Sequence, residues 1–552
     1  MQGLRHMQAQ VVVVGGGPVG MLVAAELASY GVDTVLFEPQ TRVSDRPKAT
    51  TLHARAVQCL ARRGHLPEPG VRPEGAAGPA PFHFGGLSGL LIAAPRTEPQ
   101  PILKCPQAEL ERHFEGRARA AGTRIVRGTR VTEVFQDPEG ALVTAHGPQG
   151  PVSCSAEYVV GADGARSTVR EGAGIASDVR PATVASLMGT VTLADPDALP
   201  QGWLRTERGW IVSKRDPEGR THIRTLDCAA AHGDRHREPT LEELRGEVSR
   251  IAGHEVAMAD PRWLSRFGDA TKLARAFRAG RVFLAGDAAH VHFPIGGQGL
   301  STGVLDALNL GWKLALAVHG RASGELLDTY DAERRPAAER VIGNTRAQLA
   351  LMRPGPEPDA LRTVFTELLA AGGGQGRLSG MISAQDTVLP VSAERASTDA
   401  GTFLYNAPLH TRTGATDVIG LLRDGRPLLL LLGEQSASRE AEARAWEGAL
   451  HVVRALPTPE VPYDALLVRP DGYLAWTPGT TELSAAVSQY VGRPGAAGGP
   501  ASEVRPGVAG RPGAEGRPGG EAKPGPGVRP GPGGQPTAPA SSCSSAAFSA
   551  SA

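Results

Sequence analysis

Residues 10–38, QVVVVGGGPVGMLVAAELASYGVDTVLFE, decide the fold of this 552-residue chain. Gln10–Val14 is a short apolar strand. Gly15-Gly16-Gly17-Pro18-Val19-Gly20 follows, then a helical pattern over Met21–Tyr30, a turn at Gly31 and a second strand, Val32–Phe37, ending in Glu38. Gly15, Gly17 and Gly20 have the GxGxxG spacing. The first permits a tight turn, the second lets backbone approach a pyrophosphate, and the third lets the helix pack close to the strand. An acid at the end of the next strand, Glu38, is placed to accept hydrogen bonds from a ribose diol. The unit therefore reads as a dinucleotide site in an α/β sheet.

Two later stretches repeat the theme of a strand feeding a loop of small residues. Ala156–Val160 is a strand, followed by Gly161-Ala162-Asp163-Gly164 and a helix; taken alone, Asp163 there is as readily a helix cap as a ligand contact. Arg281–Ala285 is another buried strand, followed by Gly286-Asp287, then Pro294 and Gly296-Gly297-Gln298-Gly299, then a long helix running to about Ala317. A helix start of this kind presents unpaired N–H groups and a partial positive charge, which suits something electron-rich.

The remaining chain divides by pattern. Cys105-Pro106-Gln107 opens a helix, Ala108–Ala121. Residues 183–275 carry short β-branched runs around the turn Asp216-Pro217-Glu218-Gly219 and a helix at Thr240–Ile251, the pattern of a mostly antiparallel sheet. Helices occupy Leu326–Arg353 and Asp359–Ala371. From residue 399 to 492 strands and helices alternate: Pro427–Leu432, Ala437–Ala449, Val452–Ala455, Ala465–Val468 and Tyr473–Trp476, then a last helix. Residues 493–552 are rich in Gly, Pro and Ala and poor in large apolar side chains, a composition that predicts disorder.

Composition bounds the function. A net charge of +1 gives no electrostatic case for nucleic acid or a membrane surface. The cysteines (Cys59, Cys105, Cys154, Cys228, Cys543) form no CxxC and no metal spacing, so no metal site and no disulfide framework is expected. Met1–Gln10 has no apolar leader core and no window is apolar enough to span a bilayer, so the expectation is a soluble, cytoplasmic protein. His53 and His113 have no partner spacing and read as ordinary surface or core histidines.

The three glycine-containing motifs, in this order, resemble the class A flavoprotein monooxygenases, the para-hydroxybenzoate hydroxylase-like group. Leu52–Arg55, Arg208-Gly209-Trp210, Leu264–Phe267, Asn309–Leu314, Asn344–Gln348 and Leu467–Tyr473 are similar to its actinobacterial aromatic polyketide and antibiotic hydroxylases. The resemblance covers about residues 8–490. It implies a Rossmann-like FAD-binding domain (8–182 and 276–398, with about 78–104 contributing to the substrate domain), a β-sheet substrate domain (183–275) interrupting it, and a thioredoxin-like domain (399–492).

It also implies non-covalent FAD, with Gly15, Gly17, Pro18 and Gly20 at the pyrophosphate and Glu38 at the adenosine ribose. Arg46 and Lys48 would lie near the phosphates, Gln107 and Asp287 at the ribityl chain, and Asp163 at the motif tied to both FAD and NAD(P)H. Pro294, Gly297, Gly299, Leu300 and Ser301 would line the isoalloxazine ring. Lys48 stands where the family usually has Arg, keeping the charge without the bidentate fork; Ser301 stands where many relatives have Asn.

The implied reaction is reduction of FAD by NAD(P)H, NADPH favoured, and transfer of one oxygen of O2 from a flavin C4a-hydroperoxide to a small aromatic, polyketide-type substrate. Ring hydroxylation is the expected outcome, with epoxidation or Baeyer–Villiger oxidation as alternatives on the same scaffold. The residues single out no catalytic side chain, and the oligomeric expectation is a monomer or homodimer. A plain NAD-dependent dehydrogenase would leave Asp163 and the Asp287 loop without a role.

Overall fold

The computed structural model describes residues 5–66, 78–229, 237–322, 324–391, 399–479 and 481–492. The tail for which composition predicts disorder, 493–552, lies outside the described residues.

Strand Val11–Val14 is buried on both faces and pairs in parallel with Thr34–Glu38 on one side and Tyr158–Gly161 on the other. The six-stranded sheet runs Arg278–Ala279, Val282–Leu284, Tyr158–Gly161, Val11–Val14, Thr34–Glu38, Arg124–Arg127, with an antiparallel pair only at the Arg278 edge. Continuous apolar strands of this kind require cover on both faces. Helices Pro18–Ser29, Gln107–Ala120 and Gly299–Val318 supply part of that cover. Pro18 sits in the first helical turn, where its missing N–H is not needed, so the helix begins three residues before Met21. Helix Gly299–Val318 can press onto Pro18–Ser29 because Gly303 and Gly311 lack side chains: a Cβ there would meet Val19 at 2.6 Å and Glu26 at 2.7 Å.

Between Tyr158–Gly161 and Val282–Leu284, which are neighbours in register (Val159↔Val282), the chain makes an excursion through a five-stranded antiparallel sheet. Its order is Gly202–Thr206, Gly209–Arg215, Thr221–Asp227, Ala185–Leu193, Met258–Gly268. Helix Leu241–Ala252 covers one face, started by a capping box in which Thr240 and Glu243 satisfy each other's backbone amides. The other face looks toward the first sheet. A four-stranded sheet of Arg5–Gln8, Gly150–Ala156, Ala141–Gly147 and Arg130–Gln136 is an addition to what the sequence pattern predicts.

Residues 399–492 form a sheet of order His451–Arg454, Leu428–Leu431, Ala465–Val468, Leu474–Trp476, with one parallel and two antiparallel pairings. The predicted helix Ala437–Ala449 is Ser436–Ala443 followed by a 3-10 turn, Arg444–Trp446, where the Trp446 indole buries and donates to the Gly492 carbonyl (2.8 Å).

Buried charges tie this segment to the rest. Arg469 donates to both Glu333 oxygens (2.7 and 2.8 Å) and to Asp471 (2.6 Å), while Lys313 Nζ and Asn309 Nδ2 reach Glu333 at 2.8 and 2.6 Å. Arg62 bridges Glu98 (2.7 Å) and the Leu404 carbonyl (2.8 Å), and the Arg55 guanidinium lies 3.5 Å over the Phe403 ring. A second cluster joins Glu26 to Arg63 (3.0 Å) and His65 (2.6 Å).

Burial opposes the charge of Glu26 and of Glu333. Arg63 and His65 outweigh it for Glu26, Arg469 and Lys313 for Glu333, and each carboxyl is brought from 4.5 down to about 2. A carboxyl whose folded pKa lies below its unfolded value stabilises the fold above the unfolded pKa and ceases to as pH falls through the folded one. Stability is therefore expected to fall steeply as pH drops from about 4.5 toward about 2. Tryptophan fluorescence against pH checks this, since Trp312 lies beside Arg469; a flat profile across that window would contradict it.

Candidate active site

A cavity of about 850 Å³ lies between the glycine loops of the six-stranded sheet and the open face of the five-stranded sheet. Its floor begins at Gly15–Gly20. Gly15 has φ +104°, and a Cβ there would lie 2.4 Å from the Ala162 carbonyl oxygen; one on Gly20 would lie 1.9 Å from the Gly15 carbonyl oxygen. Both positions are closed to any side chain. At Gly17 a Cβ would meet nothing within 4 Å, and Gly17 and Pro18 line the cavity. The three glycines thus divide as their spacing predicts: two for packing, one leaving open backbone.

Glu38 fixes this loop. Its carboxylate accepts the Gly16 N–H (2.5 Å) and the Gln40 N–H (2.7 Å). It sits at the edge of the loop and does not line the cavity, and each oxygen keeps a second lone pair for a further donor. Arg46 and Lys48, on the exposed segment after Thr34–Glu38, line the cavity. Gln107 joins them because its amide donates to the Ala49 carbonyl (2.9 Å), which pins the start of helix Gln107–Ala120 to that segment.

Asp163 does bond to a helix start: it accepts the Val169 N–H (3.1 Å), while Ser167 is the N-cap of Thr168–Gly172. Its other oxygen, Oδ1, is buried with no hydrogen-bonding partner, and burial raises its pKa. Ala162 and Gly164, on either side, line the cavity; Asp163 does not. An orphaned carboxylate oxygen beside the glycine loop fits a ligand donor.

Asp287 is on a 3-10 turn, Gly286–Ala288, and opens into the cavity while protein walls it on every other side. That burial raises its carboxyl above the usual range, with His290 and Lys48 acting against the shift. The turn is held from behind by Asp306, which is fully buried. Asp306 accepts from the Gly286 amide (3.0 Å), His290 Nε2 (2.7 Å) and Arg334 Nε (2.8 Å).

Pro294 leads into Ile295–Gly297, where Gly296 (φ +73°) and Gly297 (φ +61°) are both left-handed, a pair of conformations that side chains resist. His53, fully buried, donates Nε2–H to the Gly296 carbonyl (2.7 Å). Burial brings His53, His83 and His292 each down to about 4, so all are neutral near pH 7. Helix Gly299–Val318 then starts without a side-chain cap, and Gly299 and Leu300 line the cavity, so its N-terminal amides point at the floor. The Ser301 hydroxyl is turned away and accepts the His53 N–H (3.0 Å). Gln298 is 2% exposed, and neither polar atom of its amide has a partner.

Residues with site roles that the sequence reading passes over are Asp306, His290 and Arg334 behind Asp287, and His53 behind Gly296. The signal was present in the helix itself: Asp306, Asn309 and Lys313 recur at one-face spacing in an otherwise apolar helix. Among the described residues no group of His, Cys, Asp and Glu is arranged to hold a metal, and no helix is long and apolar enough to cross a membrane.

Set against known proteins, residues 8–345 match the FAD binding domain family, and residues 397–494 match the aromatic-ring hydroxylase C-terminal family. A 12-dehydrotetracycline 5-monooxygenase/anhydrotetracycline 6-monooxygenase of Streptomyces rimosus is 36% identical over 513 residues, covering 88% of this chain and all (100%) of that one. A rifampicin monooxygenase of Streptomyces venezuelae is 36% identical over 475 residues, covering 84% and 95%. The solved structure of the OxyS anhydrotetracycline hydroxylase from Streptomyces rimosus superposes with a TM-score of 0.79 at 35% identity, covering 88% of this chain and 100% of that one. The open backbone at Gly17, the unpaired Asp163 oxygen, the inward Asp287 and the uncapped helix start are the surface such a flavin needs. With both matches along its length, the chain belongs to the class A FAD-dependent aromatic monooxygenases.

Proposed function

We propose that the enzyme hydroxylates a polycyclic aromatic, polyketide-type substrate in secondary metabolism, using O2 and NAD(P)H, with NADPH preferred. The observation that carries the reading is the two-sided cavity. One side is glycine backbone and an uncapped helix start; the other is the sheet face with Trp203, Trp210, Trp263, Met188 and Phe267. Flat apolar walls suit a fused-ring substrate. The names of the relatives, which act on anhydrotetracycline and rifampicin, support the same class.

FAD, when bound, supplies acceptance of two electrons from NAD(P)H and activation of oxygen. The chain's residues do the rest. Gly15, Gly17, Pro18 and Gly20 present backbone to the pyrophosphate, Glu38 takes the adenosine ribose, and Arg46 and Lys48 offset phosphate charge. Gln107 and Asp287 take the ribityl hydroxyls, and Asp163 offers its unpaired oxygen near the phosphates. Pro294, Gly297, Gly299, Leu300 and Ser301 place backbone at the ring, where the helix N-terminus favours negative charge. Trp210, its Nε1 tied to the Met352 carbonyl (2.6 Å), and Phe293 help exclude water, which protects a reactive oxygen donor from hydrolysis.

In this reading residues 8–182 and 276–398 are a Rossmann-like FAD domain, with about 78–104 and 183–275 forming the substrate domain. Residues 399–492 are thioredoxin-like, supported by the strand order described above. That segment contains no cysteine, so it has no dithiol chemistry and serves as packing. The enzyme is a soluble cytoplasmic monomer or homodimer.

The test is turnover with a panel of polycyclic phenols and quinones under 18O-labelled oxygen, read by mass spectrometry. A product carrying one labelled oxygen, with NADPH consumed faster when substrate is present, is expected. NADPH oxidation that no aromatic accelerates, or products free of label, would overturn the reading.

A further inference from the structure

Charge in the cavity is lopsided. Arg46, Lys48, Lys104 and Arg224 line it, and Asp287 is the one carboxylate among the described lining residues. Arg46 and Lys48 belong to the nucleotide side. Arg224 stands on the opposite wall, in the middle strand of the five-stranded sheet. A row of residues in register, Trp203↔Val212↔Arg224↔Met188↔Ser265, crosses all the strands and shares one face.

The guanidinium is therefore centred in an apolar, aromatic surface. No described residue accepts a hydrogen bond from it or forms an ion pair with it. Burial lowers its pKa, and no acid works against that shift.

Lys104 approaches from strand Ile102–Lys104, its Nζ donating to Thr51 Oγ1 (2.9 Å) with no ion pair among the described residues. Its pKa is lowered by burial, then by Lys214 and Arg224, so these charges lie in each other's field. Other arginines buried in this chain each hold an acid: Arg62 with Glu98, Arg63 with Glu26, Arg334 with Asp306, Arg469 with Glu333. A walled-in cation without a counter-charge is costly unless an anion arrives to pair with it.

We propose that Arg224, assisted by Lys104, is an anion subsite that holds an ionised oxygen of the aromatic substrate, a phenolate or a carboxylate, against the sheet wall. The proposal rests on the cavity being the substrate site. It makes the preferred substrate an anion at the pH of turnover, with its rings on Trp203 and Met188 and its charged edge on the arginine. Arg224 thus selects among polycycles of equal shape by charge. A phenolate held there is also more electron-rich, and so more reactive toward an oxygen electrophile, than the neutral phenol.

Alizarin, a fused-ring phenol whose ionised form absorbs at longer wavelength, tests this without turnover. Titrated while bound to the FAD-loaded enzyme, it should ionise about one pH unit or more below its value in water, at least about a tenfold shift in favour of the anion. Arg224→Gln should abolish most of that shift, and Arg224→Lys should keep most of it, at FAD contents equal to wild type. Anthraquinone-2-carboxylate separates the two sources of anion: whichever probe binds more tightly names the group, and Arg224→Gln should weaken that probe about tenfold or more. Alizarin failing to bind, or ionising alike on wild type and Arg224→Gln, would overturn the proposal. Because no step of the titration consumes NADPH or oxygen, it can fail while labelled-oxygen turnover succeeds, and the reverse.

Discussion

Gly20→Ala is expected to purify without flavin. A methyl at that position would sit 1.9 Å from the Gly15 carbonyl oxygen, a backbone atom that cannot rotate away. The helix would have to lift from the strand, carrying Gly17 and Pro18 with it. Overpacking of this severity costs about 3 kcal/mol or more, which read as lost FAD affinity is at least about hundredfold. Flavin absorbance per protein, after dialysis against excess FAD, measures it.

Since Gly20→Ala may also lose the fold, Gly17→Ala is the cleaner partner. Gly17 has φ −70° and open space around its Cβ direction, so alanine fits the flavin-free protein without strain. Its methyl would occupy the side from which a pyrophosphate approaches. Unaltered thermal stability of the flavin-free protein with a clear loss of FAD affinity is the expected result; full FAD retention by Gly17→Ala would place the phosphates elsewhere.

Arg469→Ala is expected to be the most destabilising single change outside the glycine loop. It leaves Glu333 and Asp471 facing each other in the interior, with Lys313 as the remaining cation. Breaking a buried pair by deleting one partner costs about 3–5 kcal/mol. Lys313→Met should cost clearly less. Burial and the like charge of Arg469 depress the Lys313 ammonium to about 8 despite Glu333, whereas burial of Arg469 is outweighed by Asp471 and Glu333 together. Glu333 and Lys313 are partners, yet the environment favours the charge on one and disfavours it on the other, because Glu333 faces two cations. Thermal melting and limited proteolysis of the 399–492 segment rank the variants. Equal losses from Arg469→Ala and Lys313→Met would refute the asymmetry.

What could be read from the sequence was local. The βαβ unit of Gln10–Glu38 was legible because the roles of Gly15, Gly17 and Gly20 are set by backbone sterics within ten residues of each other. Helix Leu241–Ala252 was legible from its own cap, and strand Ala465–Val468 from its apolar run and the turn after it.

The cavity was legible as a set of motifs but not as a surface. Nothing local says that Asp287 opens inward, that Ser301 turns to His53, or that Asp163 keeps one oxygen unpaired. Asp306 with Arg334 and Glu333 with Arg469 were not legible as pairs, because partners 28 and 136 residues apart meet only through tertiary packing. The sheet containing Arg130–Gln136 and Ala141–Gly147 escaped notice because Thr, Ala and Gly blur its alternation. His53 does read as a core histidine; its hold on Gly296 is invisible without the fold.

The excursion that carries the aromatic wall leaves the six-stranded sheet at Gly161 and rejoins it at Val282, on strands already side by side. Such a placement lets descent with modification act unevenly. Substitutions, and even changes in length, between those two points can reshape the roof over the cavity without moving the register beneath it. The 399–492 segment has no such freedom, because its Arg469 answers charges on two helices of the core. A lineage can therefore acquire new substrates by rewriting the excursion while inheriting its flavin machinery and C-terminal buttress nearly intact, the exchange confined to a stretch that a single recombination tract would span.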